Sequence, residues 1–139
     1  MTNTLDRFHD AQQHTYATAL DEIKHGRKEN HWMWYIFPQI VGLGRSAISQ
    51  KYAIKDMKEA RLYLEDETLR KNLIEISEAL LQLDTDDATE IMGWPDDMKL
   101  QSSMTLFALA DSDCGVFQNV LDKFYGGKKC EKTIEILKS

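Results

Sequence analysis

The sequence predicts an all-α fold, a single compact multi-helix domain with an irregular aromatic connector after its first long helix. Two observations predict it. Apolar residues recur every three or four positions along nearly the whole chain, the helical period. No two runs alternate apolar and polar residues clearly enough to pair as strands.

Leu5, Phe8, Ala11, Tyr16, Ala19, Leu20 and Ile23 roughly share one face of the first helix. Thr4 is its expected N-cap. Gly26 can take the left-handed conformation that ends it, with Lys24 and His25 in the last turn where positive charge suits the dipole. Ala47 to Ala53 reads as a short helix, and Asp56 to Glu65 as another carrying Met57, Ala60, Leu62 and Leu64. The clearest run is Leu69, Leu73, Ile76, Leu80 and Leu83, a narrow stripe with Asp66 as cap. Met98 to Leu109 forms a further helix, with Asp96 and Asp97 as carboxylates of its first turn favoured by the dipole. Val116, Phe117, Val120, Leu121 and Phe124 need a helix started by Ser112 or Asp113 and ended by Gly126-Gly127. A last short helix uses Thr133, Ile134 and Leu137.

Composition narrows the function classes. A chain of 139 residues can bury one sizeable core, so residues 1–139 are expected to form a single all-helical domain. With 42% hydrophobic and 29% charged residues it has a globular balance. A net charge of -6 would repel a phosphate backbone, so nucleic acid is not an expected partner. No stretch of eighteen apolar residues occurs and the N-terminus does not read as a signal peptide, so no membrane partner and a cytoplasmic location are expected. Cys114 and Cys130 read as free thiols. No metal site is expected: His14 and His25 stand about 16 Å apart at the usual helical rise. The acidic run Asp84 to Glu90 lacks the glycine and late glutamate of a calcium loop, and suits a helix cap and a solvated turn. No cofactor is expected either.

The connector holds "HWMWYIFPQIVGLGRS", residues 31–46. Pro38 pushes Phe37 out of the helical region, and Gly42 and Gly44 permit backbone that other residues resist. Irregular backbone normally lies at the surface, so so aromatic a connector must cover something or be covered. In the plain alternative Trp32, Met33, Trp34, Ile36 and Phe37 close one end of the core. In the functional one the polar residues hold an anion: Gly42, Gly44, Arg45 and Ser46 precede a short helix whose backbone N–H groups, with the Arg45 guanidinium and Ser46 hydroxyl, would suit negative charge.

"HWMWYIFPQIVGLGRS" together with "MKLQSSMTLF", residues 98–107, resembles the signature of the domain-of-unknown-function family DUF1810, small bacterial and fungal proteins often labelled calpastatin. The likeness spans nearly the whole chain, through Arg7-Phe8, Ala11-Gln12, Tyr52-Ala53-Ile54, Glu59-Ala60, Tyr63-Leu64 and Asp97. It implies a compact all-α domain and brings no activity. The pattern departs at Lys129-Cys130, where the family is expected to carry an acidic residue. Calpastatin itself is a long disordered chain of little hydrophobic content, which this composition does not match.

The second motif sits on one predicted helix, where Lys99, Ser102 and Ser103 can share a face. Lys-x-x-Ser reverses the order of the penicillin-binding enzymes, which weakens a nucleophile reading and leaves anion binding or a solvated role. Gln12 falls within or beside the apolar stripe of the first helix, so it needs either a buried partner on the connector or a ligand. Two functions follow. In one, connector and Lys99 helix face each other across a cleft that binds a nucleotide- or phosphate-type anion: Trp32 or Trp34 stacks on a flat group, Gln12, Gln39, Arg45, Ser46, Lys99, Ser102 and Ser103 supply polar contacts, and His31 handles any proton. In the other, the Trp-rich patch is exposed and receives a partner protein, with no chemistry. Whether a reaction occurs is left open at this level.

Overall fold

Every strong apolar run of the sequence becomes a helix. The computed structural model describes residues 5–138, and among these it holds nine helices and no strand. The first run is α1 (Asp6–Lys24), burying Phe8, Gln12, Ala19, Glu22 and Ile23. Gly26 follows it at φ +80, a conformation glycine adopts without strain. The Thr4 cap expected from the sequence lies outside the described residues.

The connector contains one turn of helix, α2 (Met33–Ile36), which Phe37 leaves at φ -125, ψ 74 as the residue before Pro38. After it come α3 (Ala47–Lys51), α4 (Met57–Glu65) and α5 (Glu67–Leu81). Asp56 and Asp66 cap the latter two by accepting from Glu59 N at 2.9 Å and Leu69 N at 3.1 Å. Each such cap is worth about 1 kcal/mol. The acidic run ends in the helix cap expected of it, for Asp87 accepts from Thr89 N and Glu90 N at the start of a short helix, α6 (Ala88–Met92).

The centre of the molecule is α7 (Asp96–Ala110), followed by α8 (Val116–Tyr125) and α9 (Glu131–Lys138). The start expected for α8 is corrected: Gly115 holds its N-cap position, and neither Ser112 nor Asp113 caps it. Its end is as expected, with Gly126 left-handed at φ +61. Helices α4, α6, α8 and α9 pack against α7, while α5 lies between α1 and α8. A relay of rings ties these layers together: Phe8 meets Tyr63 edge-on at 5.1 Å, Tyr63 meets Phe107 at 5.1 Å, and Phe107 meets Phe117 at 5.9 Å. Such pairs add about 1 kcal/mol each beyond the area they bury.

One contact outside the helices places the connector. Ile40 and Ile54 form an isolated parallel bridge: Ile54 N donates to Gln39 O and Val41 N to Ile54 O, both at 2.8 Å. Both isoleucines are buried, so the loop is pinned to the core at its midpoint and Gln39 stands beside the pin.

Candidate functional site

Most of the aromatic connector is core. Trp32 is fully buried, with Met33, Ile36 and Phe37 buried beside it. This corrects two expectations: Trp32 cannot stack on a ligand, and Trp32 and its neighbours form no exposed patch for a partner, because their apolar area closes one end of the helical core. The indole N–H of Trp32 is satisfied internally, donating to Glu22 Oε1 at 2.9 Å. Glu22 is nearly buried in α1 and also accepts from Glu29 N at 2.7 Å, from Asn30 N at 3.0 Å and from the Asn30 side chain. Burial by itself would raise its carboxyl, but these four donors outweigh it and bring the pKa down to about 2. Nothing in the sequence singled Glu22 out.

Gln12 is likewise buried and fully used. Its Nε2 donates to Tyr35 O at 2.8 Å and to Tyr63 Oη at 2.9 Å, and its Oε1 accepts from Asn72 Nδ2 at 3.1 Å. One amide thus joins α1, the connector, α4 and α5. The buried hydrogen bond to the connector is present, and both amide donors are taken up inside the fold. Burial pushes the Tyr63 phenol well above its ordinary value, so it stays neutral as the acceptor of that bond.

The Gly42-to-Ser46 turn does not make an anion nest. Ser46 Oγ accepts from Ser49 N at 3.1 Å and donates to Ser49 Oγ at 2.8 Å, which caps α3 with its own side chain. Arg45 and Gly42 are exposed, Gly42 at φ +102, and Arg45 O accepts from the Gln50 side chain. His31 is exposed and makes no hydrogen bond or ion pair among the described residues, so nothing orients it as an acid or base. Ser103 is buried, and its hydroxyl has no partner there. Ser102 is buried as well, sharing a hydrogen bond of 2.8 Å with Thr133 Oγ1 of α9. The shared Lys99, Ser102 and Ser103 face is therefore not an exposed stripe: α7 is enclosed on nearly every side, and its hydroxyls pack.

What remains is a cleft of about 210 Å3 between the two segments. The connector contributes Gln39, Leu43 and Gly44, and the start of α7 contributes Pro95, Met98, Lys99 and Ser102. Cys130 and Lys132, around the start of α9, complete it. Lys99 Nζ lies 5.7 Å from the centre of the half-buried Trp34 ring and 3.6 Å from Asp96 Oδ1. Asp96 in turn pairs with Lys28 at 2.9 Å, and Lys28 lies over the Trp32 ring at 5.0 Å. The Gln39 amide makes no hydrogen bond among the described residues. Of the residues named from the sequence, Gln39, Gly44, Lys99 and Ser102 meet here, with Trp34 beneath Lys99. Leu43, Pro95, Met98, Cys130 and Lys132 were not among the site residues expected from the sequence, since an apolar wall carries no motif and residues 130–132 reach the cleft through the docking of α9. Among the described residues no group of three or more His, Cys, Asp and Glu is placed to hold a metal ion.

Comparison with known proteins agrees with this geometry in fold and is silent on chemistry. The profile of a family described as "Protein of unknown function (DUF1810)" matches residues 2–137. The chain is similar to a crystal structure of the conserved hypothetical protein Rv1873 from Mycobacterium tuberculosis, at 41% identity over 97% of this chain and 96% of that one, with a TM-score of 0.95. No curated protein matches.

Proposed function

The chain belongs to the DUF1810 family of proteins of unknown function, and since that membership carries no activity, we propose from its geometry that it binds a small anionic molecule in the cleft between the connector and α7. One observation carries this: a Gln39 amide with no partner among the described residues and the Lys99 ammonium line the same cavity, with Lys132 at its edge. A few polar groups beside apolar walls are what fixes the orientation of a small ligand. The size narrows the class. At about 210 Å3 the cleft is smaller than the usual small-molecule pocket of about 300–1,000 Å3. A phosphate-sized group or a small carboxylate fits. The competing adaptor function rested on Trp32 and Trp34, and the burial of Trp32 removes its main support.

Thermal unfolding with inorganic phosphate and with small carboxylates tests the proposal. A ligand at a hundredfold its Kd stabilises the native state by about 2.7 kcal/mol, which raises Tm by roughly 8 °C in a chain of this size. Lys99→Gln and Gln39→Leu are expected to lose the shift, and His31→Ala to keep it. A shift that survives Lys99→Gln, or no shift with any anion, would sink the proposal.

A further inference from the structure

We propose that residues 42–52 form a lid over this cleft: a loop with both feet at the Ile40 and Ile54 bridge, which lifts to admit the anion and lies down to hold it. This rests on the anion-binding function above and adds how that site is entered and closed.

The two feet of the loop meet. Ile40 and Ile54 are buried, and the bonds of 2.8 Å from Ile54 N to Gln39 O and from Val41 N to Ile54 O make the chain leave the core and return to it at one point. Between them none of residues 41–53 is buried. A compact surface loop whose ends lie together is an Ω-loop, a form that frequently carries function.

The hydrogen bonds of this loop are its own. Among the described residues, those of residues 42–52 run within the loop: Ser46 bonds to Ser49, Gln50 Nε2 donates to Arg45 O at 2.9 Å, Gln50 N to Ser46 O at 3.0 Å and Tyr52 N to Ile48 O at 3.3 Å. Arg7 secures the second foot, donating to Ala53 O at 2.9 Å. What the loop shares with the core is apolar, through the half-buried Leu43 and Tyr52, the latter with its ring 5.1 Å from that of Tyr35. Lifting it therefore breaks few contacts, and segments of that kind open at low cost.

Its position ties this motion to the cleft. Leu43 and Gly44 wall the cleft, while Gly44, Ser49 and Tyr52 close a second crevice against Trp34 and Gln39. That crevice measures about 10 Å3, room for one water at most. Gln39 and Gly44 line both spaces, so lifting the loop joins them into one opening that reaches Trp34, and lowering it encloses the Gln39 amide.

Native-state hydrogen exchange of the full chain with and without inorganic phosphate, at fixed ionic strength, tests the lid, with acetate in its place if acetate gives the Tm shift. The amides of Gln50 and Tyr52 are the probes, because neither residue lines the cleft. If the anion is held only under the closed lid, phosphate at a hundredfold its Kd should slow both about a hundredfold, and Lys99→Gln should lose the slowing. Gln82 and Leu83 at the end of α5, which line no part of the cleft, should exchange as before. Ser46→Ala removes the α3 cap and leaves the cleft lining intact. It should speed both the exchange of Gln50 and Tyr52 and the release of phosphate, read by phosphorus NMR, about fivefold, and Ser46→Thr should restore both. If a Lys99-dependent Tm shift is present and Gln50 and Tyr52 exchange as fast as without the anion, the loop is a wall and not a lid, and the anion site stands. If phosphate leaves Ser46→Ala no faster, the anion passes elsewhere and the lid falls as well. If no anion binds at all, both fall.

Discussion

Glu22 and Gln12 show how differently two polar residues of one helix can be read. Gln12 stands beside an apolar stripe, so its need for a buried partner was legible, and the partner is the connector, through Tyr35 O. Glu22 looks like any helical carboxylate, because two of its donors are backbone N–H groups, which every residue has and no sequence marks. Its role as anchor of residues 29–32 is nonetheless testable. Glu22→Gln keeps the shape but sets an amide against several N–H donors, and is expected to cost about 2 kcal/mol at pH 7 in denaturant unfolding. The pH dependence follows from the depressed carboxyl: its contribution is complete above the ordinary 4.5 and is lost as pH falls toward about 2. The gap between wild type and variant should therefore narrow across that window, and a gap that stays constant would contradict the anchor.

At the scale of elements, the sequence spoke clearly wherever one face of a helix is buried and a carboxylate sits at its start. The stripe from Leu69 to Leu80 and the cap Asp66 stand where their spacing put them. Helix α7 was recognised as a helix, but its faces were not, because burial of Leu100 and of every residue from 102 to 108 leaves no polar side to contrast with the apolar one. The α3 corner was misread for another reason: Ser46 offers the same hydroxyl to an anion as to its own helix, and the nearer partner won. That corner is also tightly closed. A Cβ on Gly44 would lie 2.5 Å from Ser49 Cβ and 2.7 Å from Ser49 Oγ, so Gly44→Ala must displace the first turn of α3. The expected cost is about 1–3 kcal/mol, as for other overpacked sites. Ser49→Gly removes the obstacle, so the double variant should be more stable than the sum of the two single effects predicts. Strict additivity in urea unfolding would show that the contact is not the cause.

Over the whole molecule, the same packing that hid the faces of α7 from the sequence dictates where the structure opens. Four helices pack against α7, and it contributes Phe107 to the relay of rings running from Phe8 to Phe117. By contrast α3 buries none of its residues, and its hydrogen bonds are local ones: the Ser46 cap, its own short ladder and the Gln50 side chain on Arg45 O. Local opening follows such differences, since a segment with little buried apolar area can unfold without disturbing the core. Native-state hydrogen exchange should therefore show the amides of residues 103–108 exchanging only through global unfolding, with a free energy that tracks overall stability as denaturant is added. Amides near the C-terminal end of α3 should exchange at least about a hundredfold faster and with almost no dependence on denaturant, the mark of a small local opening. The connector separates the two regimes: at the Ile40 and Ile54 bridge the N–H groups of Val41 and Ile54 should behave like the core, because both isoleucines are buried, while the turn from Gly42 to Ser46 should behave like α3. Gln39, beside the bridge, would then be held by the rigid part, whereas Leu43 and Gly44 in the same cleft would move with the labile part. Equal protection of α3 and α7 would show that this edge of the cleft is as fixed as the core.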